Sequence, residues 1–216
     1  GMRATGINRR INRAVLDADR LEHDLHQDPR RAAIFDGLAA LHQPTNLVIV
    51  ADHGMAETRD SRTVLLTDFV AKDDIRIVEA GPYAALWPAP GKQAKVEKAL
   101  LGRHGRMECW RKAQFPARFH YGTSARIAPI LCLAENGWSI TDRAPTKRYV
   151  TGTHGYDPAA PDMAALFIAH GPAFRPAKLP AFDNVDVYPL LRDLIGLPAA
   201  QGVDGTDAPF RGVLKR

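Results

Sequence analysis

The chain has 216 residues, enough for one large domain or two small ones, and its 45% hydrophobic and 25% charged residues are typical of a globular protein. Its net charge of +5 comes from 29 basic and 24 acidic residues, which are scattered without the basic run or interleaved aromatic residues of an RNA-binding surface. No apolar stretch approaches the roughly 20 residues that span a bilayer, and no signal peptide is visible, so we expect neither a nucleic-acid polymer nor a membrane segment.

The first predicted elements are two helices followed by a strand. Apolar residues recur at helical spacing between residues 8 and 26, which predicts a first helix. Pro29 is suited to the first position of a second helix, which we expect to run to Leu41. The four apolar residues Leu47–Val50 then predict a buried parallel strand.

A carboxylate and an imidazole follow this strand. Asp52, His53 and Gly54 stand at its carboxyl end, where α/β folds hold their ligands. Carboxylate and imidazole both bind divalent transition metals. In the middle of a strand, Asp52 and His53 would point to opposite faces, but at the entry to a glycine turn both can face one ion. We therefore predict that Asp52 and His53 are metal ligands.

From residue 73 to residue 147 the pattern changes to short strands around one amphipathic helix. This block predicts a small antiparallel α+β module inserted between two pieces of an α/β core, residues 1–72 and 148–216. The predicted strands are 76–79, 84–87, Met107–Arg111, 118–121 and 127–134, and the predicted helix is 91–103.

The same block contains both cysteines of the chain, Cys109 and Cys132. Two cysteines are too few for a disulfide framework. Cys132 lies within the apolar run Ile130–Ala134, so we expect it to be a buried apolar residue.

A second histidine with glycine neighbours follows the inserted module. His154 lies in the sequence Gly-Thr-His-Gly-Tyr-Asp of residues 152–157, and a buried-type strand follows at 164–169. Glycine allows unusual backbone angles and close backbone approach, which suits a loop shaped around a ligand. Because an insertion lets distant residues meet in one core, we predict that His154 joins Asp52 and His53 in one metal site. Further on, Val187–Leu194 predicts a closing helix.

These motifs resemble those of the type I phosphodiesterase/nucleotide pyrophosphatase family of the alkaline phosphatase superfamily. Residues 48–55, Val-Ile-Val-Ala-Asp-His-Gly-Met, resemble its (S/A)DHGM motif. Residues 152–157 and 163–174 resemble its third histidine loop and the strand after it, and residues 184–197 resemble its closing helix. The resemblance implies a partial alkaline-phosphatase-like α/β core, with a mostly parallel sheet and flanking helices, that carries an inserted cap module.

The resemblance also implies a function, a two-metal hydrolase of phosphodiester or pyrophosphate bonds, usually with two zinc ions. Asp52 and His53 would bind the metal that activates the nucleophile, and His154 would bind the metal that holds the phosphoryl oxygens. Such metals, about 3.5–4 Å apart, stabilise the attacking and leaving oxygens. The substrate would be a small phosphodiester or nucleotide. Relatives often work outside the cytoplasm, which implies a periplasmic or secreted location.

The chain departs from the family at its beginning. The family's nucleophile, a threonine or serine, and its first aspartate ligand lie on a segment that has no match here. Residues 3–6, Arg-Ala-Thr-Gly, resemble the tail of another ligand motif, and Asp19 and His23 are a rival pair with helical spacing, although a solvated helix face is the favoured interpretation. We therefore expect the C-terminal half of a catalytic domain, with the upstream half as its partner and little activity alone.

Two alternatives stay open on the sequence. One is a phosphomonoesterase or phosphomutase of the same superfamily, because the segment that selects the substrate lies upstream. The other is a non-catalytic binding module that keeps the fold and has lost the site. An upstream nucleophile together with an early aspartate would favour an enzyme over the binding module.

Overall fold

A computed structural model describes residues 10–15 and 29–215 of the chain. These residues form two compact units, the first comprising the described residues up to His53 together with those from Ala164 onward, and the second running from Gly54 to Met163. The boundaries predicted from the sequence, after residues 72 and 147, both fall within the second unit, and the predicted division into three pieces stays a prediction.

The regular structure of the described residues consists of short strands and three α-helices joined by turns and 3-10 segments. The helices are α1 (Pro29–Ala40), α2 (Gln93–Leu100) and α3 (Val187–Leu194). The strands are β1 (Arg10–Val15), β2 (Leu47–Val50), β3 (Ala56–Arg59), β4 (Thr63–Leu65), β5 (Ile75–Glu79), β6 (Tyr83–Pro88), β7 (Gly102–His104), β8 (Met107–Arg111), β9 (Ile130–Ala134), β10 (Ser139–Thr141), β11 (Val150–Thr153), β12 (Ala165–His170), β13 (Lys178–Leu179) and β14 (Phe182–Asp183).

The first unit contains a mixed sheet in the order β13-β1-β12-β2, with β14 also paired to β1. β1 is parallel to β12, whereas β2, β13 and β14 pair with their neighbours in the antiparallel sense. The helix predicted for residues 8–26 was wrong over residues 10–15, because pairing with β12 overrides the weak local preference for a helix. The rest of that predicted helix lies outside the described residues.

β2 forms where it was predicted but differs in direction and burial. It runs antiparallel to β12 and lies at one end of the sheet, so the predicted parallel direction was wrong. None of its four residues is buried, and Val50 is 42% exposed. An unbroken apolar run indicates that a strand is covered on both faces, but it does not identify the neighbouring strands or their direction.

Apolar clusters cover both faces of this sheet. On one face, Phe35 of α1 packs with Ile49 and Ile168. On the other face, Leu190 of α3 packs into a cluster around Phe167. The sequence predictions for α1 and α3 are confirmed, with α3 occupying the predicted residues and α1 ending one residue earlier than expected. The result is a sheet with a helix on each face, as the predicted α/β class requires.

The second unit contains an antiparallel sheet in the order β5-β6-β9-β8-β7, with β3–β11 and β4–β10 as separate strand pairs. Val96 and Leu100 of α2 are fully buried in its core. The predicted antiparallel α+β character of this block is therefore confirmed. The strand predicted at 118–121 was wrong, because the chain there forms a 3-10 turn, Ala117–Phe119, and His120 then adopts a left-handed φ of 47°.

A disulfide joins two central strands of this sheet. Cys109 of β8 and Cys132 of β9 are direct partners in the strand register, and their sulfur atoms are bonded. The expectation that Cys132 serves only as a buried apolar residue was wrong, although its burial is confirmed at 1% exposure. The sequence could not reveal the bond, because a register between two strands is a non-local property.

We expect that loss of this disulfide lowers the free energy of unfolding. The bond closes a loop with a sequence separation of 23 residues. Closing a loop of this length lowers the entropy of the unfolded chain, which stabilises the folded state by about 3 kcal/mol. Urea denaturation of the chain with and without dithiothreitol measures the effect. A Cys109→Ala/Cys132→Ala variant is the control, since dithiothreitol should not change its stability, and equal stability of the oxidised and reduced chain would contradict the prediction.

Candidate metal centre

Asp52 and His53 lie at the end of β2, in a turn whose backbone is fixed by the first unit. The Ala51 N–H donates to the Leu166 carbonyl oxygen at 2.9 Å, which continues the pairing with β12. One residue later, the Asn184 side-chain amide donates to the Asp52 carbonyl oxygen at 3.0 Å. These bonds hold the backbone on which the two predicted ligands stand.

The Asp52 and His53 side chains come together. His53 Nε2 lies 3.4 Å from Asp52 Oδ2. Two ligands that are each about 2.0–2.2 Å from a tetrahedral zinc ion lie roughly 3.3–3.5 Å apart, so this spacing fits two donors of one ion. The His53 side chain is 16% exposed and the Asp52 side chain is 84% exposed. The pair therefore has a largely buried imidazole and an accessible carboxylate, two donor types that bind divalent metal ions.

Asn184 is a contributor whose role the sequence did not reveal. It begins the 3-10 turn Asn184–Asp186 that leads directly into α3. Its amide ties this turn to the Asp52 backbone. The sequence marks residues 184–197 only as a closing helix. The position of Asn184 at the start of this segment is the one feature of the sequence that points to it.

The His154 loop follows β11 in the second unit. A Cβ atom added at Gly152 would lie 2.7 Å from Met55 Cγ, so only glycine permits this packing without a shift of the Met55 side chain. Gly155 has a φ of 104°, a conformation that side chains disfavour. The two glycines therefore shape the loop as expected, and His154 itself is exposed.

Tyr156 anchors the far side of this loop. It is fully buried, and its hydroxyl donates to the Trp138 carbonyl oxygen at 2.9 Å. Burial disfavours the charged phenolate and raises the pKa of Tyr156 to about 12. The loop that presents His154 is thus attached to the core of the second unit.

We expect Tyr156 to make the free energy of unfolding fall at alkaline pH. Its pKa in the folded state exceeds the ordinary value near 10, so its contribution is complete below pH 10 and is lost as the pH rises towards 12. The loss amounts to roughly 2 kcal/mol. Urea denaturation at several pH values checks this, with Tyr156→Phe as the control that lacks this component. A pH profile shared by the two proteins would contradict the prediction.

Asp157, the next residue, forms a two-pronged ion pair. Its carboxylate accepts from both terminal guanidinium nitrogens of Arg118, at 2.7 and 2.6 Å, and from the Ala159 N–H at 2.9 Å. Burial acts to raise the pKa of Asp157, but these hydrogen bonds outweigh it and hold the pKa below its ordinary value. Asp157 thus ties the loop that contains His154 to the segment around Arg118.

The predicted ligands are distributed over both units. Asp52 and His53 belong to the first unit, and His154 belongs to the second. Within the described residues, no group of three or more His, Cys, Asp or Glu side chains is arranged to hold a metal ion. The two further candidates, residues 3–6 and the Asp19–His23 pair, lie outside the described residues.

The strand register separates His170 from the Asp52–His53 pair. His170 pairs with Leu47 at the start of β2, whereas Asp52 and His53 follow the opposite end of that strand. Four strand residues at about 3.3 Å each separate the two ends of β2.

Among the described helices, we find none long and apolar enough to traverse a membrane.

The chain is similar to proteins of one family. A sequence model described as type I phosphodiesterase / nucleotide pyrophosphatase matches residues 28–157. Human ectonucleotide pyrophosphatase/phosphodiesterase family member 5 is 37% identical over 162 residues, which are 74% of this chain and 34% of that protein. A Mus musculus bis(5'-adenosyl)-triphosphatase is 31% identical over 188 residues, 87% of this chain and 39% of that protein. The chain thus spans little more than a third of these relatives.

Solved structures show the same likeness. Human ectonucleotide pyrophosphatase/phosphodiesterase 5 superposes with a TM-score of 0.78 at 31% identity, covering 88% of this chain and 51% of that chain. An inactive form of the murine protein in complex with AMP gives a TM-score of 0.69 at 32% identity, covering 79% of this chain and 45% of that chain. These matches confirm the predicted fold class, a partial alkaline-phosphatase-like α/β fold.

Proposed function

This chain belongs to the type I phosphodiesterase/nucleotide pyrophosphatase family, and from that premise we propose that it forms part of a catalytic domain that hydrolyses phosphodiester or pyrophosphate bonds. The observation that carries the proposal is the Asp52–His53 pair, whose donor atoms lie 3.4 Å apart at the end of a strand. The pair lies inside the segment that matches the family. It has the donor chemistry that a metal-dependent hydrolase needs.

Divalent metal ions, with zinc as the proposed ion, are the cofactors. When bound, such ions polarise the phosphoryl group and stabilise the attacking and leaving oxygens. Asp52 and His53 would hold one ion and His154 would hold the other. The chain's own contribution is to fix these donors: Asn184 and the β12 pairing hold the first two, and the anchored glycine loop presents His154.

The upstream half of the catalytic domain is the proposed partner. Zinc sites in enzymes usually have three protein ligands and one open position, and three ligands divided between two ions leave both sites below that number. The chain also covers only 34% of its human relative. The missing ligands and the threonine or serine nucleophile expected from the family would come from that half.

Nucleotides are the proposed substrate class. Among the relatives, one is named as a bis(5'-adenosyl)-triphosphatase and another was solved in complex with AMP. Both names describe adenine nucleotides with phosphoryl groups that a two-metal site would contact. We extend this class of substrate to the catalytic domain that contains this chain.

A location outside the cytoplasm is part of the same proposal. The Cys109–Cys132 bond supports it, because disulfides persist in oxidising compartments and are rare in the cytosol. The test is export of the chain to the bacterial periplasm, where alkylation followed by mass spectrometry should find both thiols oxidised. Fully reduced, stably folded protein in the periplasm would contradict the proposed location.

The test of function uses a fusion in which the upstream half of the catalytic domain of human family member 5 precedes this chain. We expect the fusion to hydrolyse bis(p-nitrophenyl) phosphate in the presence of zinc, while the chain alone stays at background. A folded, zinc-loaded fusion without turnover would overturn the proposed function. Robust turnover by the chain alone would instead overturn the need for a partner.

A further inference from the structure

An ion pair joins the loop that contains His154 to a distant segment of the second unit. The two terminal nitrogens of Arg118 donate to the two carboxylate oxygens of Asp157, at 2.7 and 2.6 Å. The two residues are 39 positions apart in the sequence, and Asp157 follows shortly after His154. A two-pronged pair of this kind fixes the direction of the carboxylate as well as its distance.

Arg118 is itself held by buried aromatic packing. It lies in the 3-10 turn Ala117–Phe119, and Phe119 is fully buried. The centroids of the Phe119 and Phe115 rings lie 4.9 Å apart. The guanidinium carbon of Arg118 lies 3.9 Å from the centroid of the Phe119 ring, which is the distance of a cation–π contact. The orientation of the guanidinium group therefore depends on residues in the core of the second unit.

Both oxygens of the Asp157 carboxylate have hydrogen-bond partners. Oδ1 accepts from Arg118 and from the Ala159 N–H, and Oδ2 accepts from Arg118. These partners direct the carboxylate towards Arg118, so its effect on His154 passes through the short backbone segment between the two residues. That segment includes Tyr156, which is fully buried and has little freedom to absorb a shift.

The ion pair itself contributes little to the stability of the fold. The side chains of Arg118 and Asp157 are 55% and 33% exposed, and ion pairs at such positions are weak because water screens them. A metal ligand, however, has to be held within roughly 0.5 Å of its working position. The consequence of the pair is therefore expected in metal binding rather than in folding.

We propose that Arg118 is a positioning residue for the metal ligand His154 and acts through Asp157, and this rests on the proposed function, in which His154 binds a divalent ion. The guanidinium group fixes Asp157, and Asp157 fixes the end of the loop on which His154 stands. Loss of a group that supports a metal ligand typically lowers the metal affinity by about 10–100-fold.

Zinc binding by the fusion tests this role. Arg118→Met keeps much of the side-chain length but removes the donors, and it should weaken the binding of one zinc ion by about 10–100-fold in competition with a chromophoric chelator. The melting temperature should change little. Arg118→Lys keeps the charge without the two-pronged geometry and should give an intermediate affinity. Arg111→Met is the matched control, since it removes a similarly exposed arginine that pairs with Glu97 in the same unit, and its zinc affinity should equal that of the parent.

The effect of Arg118 should also depend on His154. In a His154→Ala background, Arg118→Met should cause no further loss of zinc affinity, because the ligand that it positions is already absent. Parental zinc affinity in the Arg118→Met fusion would overturn the proposal. An equal loss in the Arg111→Met fusion, or additive losses from Arg118→Met and His154→Ala, would overturn it as well.

Amide hydrogen exchange of the metal-free chain separates this proposal from the proposed function. A peptide that spans residues 153–160 should exchange roughly tenfold faster in Arg118→Met than in the parent, because hydrogen bonds between charged groups no longer oppose local opening. Arg111→Met should leave this exchange unchanged. Unchanged exchange in Arg118→Met would overturn the proposal even if the fusion is active. Faster exchange together with a parent fusion that binds no zinc would instead overturn the proposed function.

Discussion

Replacing His53 with alanine in the fused catalytic domain is expected to lower kcat/KM for a nucleotide phosphodiester by more than about 100-fold. Removal of a group that merely supports a metal ligand typically costs 10–100-fold, so loss of a direct ligand should exceed that range. The largely buried imidazole lies 3.4 Å from the Asp52 carboxylate, and no described side chain forms a third member of a metal-binding group with them. The zinc content of the fusion should fall together with its activity.

His170→Ala is the matched control for this substitution. It removes an exposed imidazole from the same sheet, at the end of β2 opposite to Asp52 and His53. Its kcat/KM and zinc content should stay within about twofold of the parent, since surface substitutions away from the site rarely matter. Equal losses in the His53 and His170 variants would show that the activity change reflects general damage to the first unit rather than loss of a ligand.

Gly171→Ala is expected to cause a large loss of stability for the addition of a single methyl group. Gly171 has a φ of 130°, and an added Cβ would lie 2.5 Å from the Thr45 carbonyl oxygen and 2.7 Å from the Asn46 Cα. The obstructing atoms are backbone, which cannot rotate away. Conformational strain of 1–2 kcal/mol and overpacking of 1–3 kcal/mol together predict a loss of about 3 kcal/mol in the free energy of unfolding.

Gly37→Ala, in the same unit, is expected to raise the stability. Gly37 lies within α1 and has no atom within 4 Å of the added Cβ position. Alanine in a helix interior is favoured over glycine by about 1 kcal/mol, so this variant should be more stable than the parent. Urea denaturation of both variants checks the pair of predictions. A Gly171 variant as stable as the Gly37 variant would contradict the assigned backbone contact.

The parts of the fold that the sequence predicted well are those with local signals. Proline at the first position of α1, and Asp186 before α3 with Gly196 after it, located both helices. The apolar run of β2 and the strand Met107–Arg111 were also found, and the strand predicted at 127–134 forms over Ile130–Ala134. Each of these depends on spacing within a single segment, which is the information that a sequence pattern contains.

The failures concern relations between distant segments. The direction of β2 depends on β12, which lies more than a hundred residues away along the chain, and the Cys109–Cys132 bond depends on the register of β8 with β9. Residues 10–15 form a strand although their apolar spacing suggested a helix, because a partner strand is available. No local pattern encodes such partners, so these features became visible only in the folded chain.

The sequence likewise predicted only part of the candidate site. Asp52 and His53 were singled out because they follow an apolar strand, and the structure places their donor atoms 3.4 Å apart. The support from Asn184, which reaches the Asp52 carbonyl oxygen from the start of the closing helix, required the fold. Whether His154 completes the ligand set stays a prediction, since it belongs to the second unit.

The disulfide in the second unit also determines how the chain responds to proteolysis. Residues 122–126 are exposed and include Arg126, a residue after which trypsin cleaves, and they lie between Cys109 and Cys132. A cut there leaves both pieces covalently joined through the bridge. The nicked protein would therefore migrate as one band without reducing agent and as two bands with it.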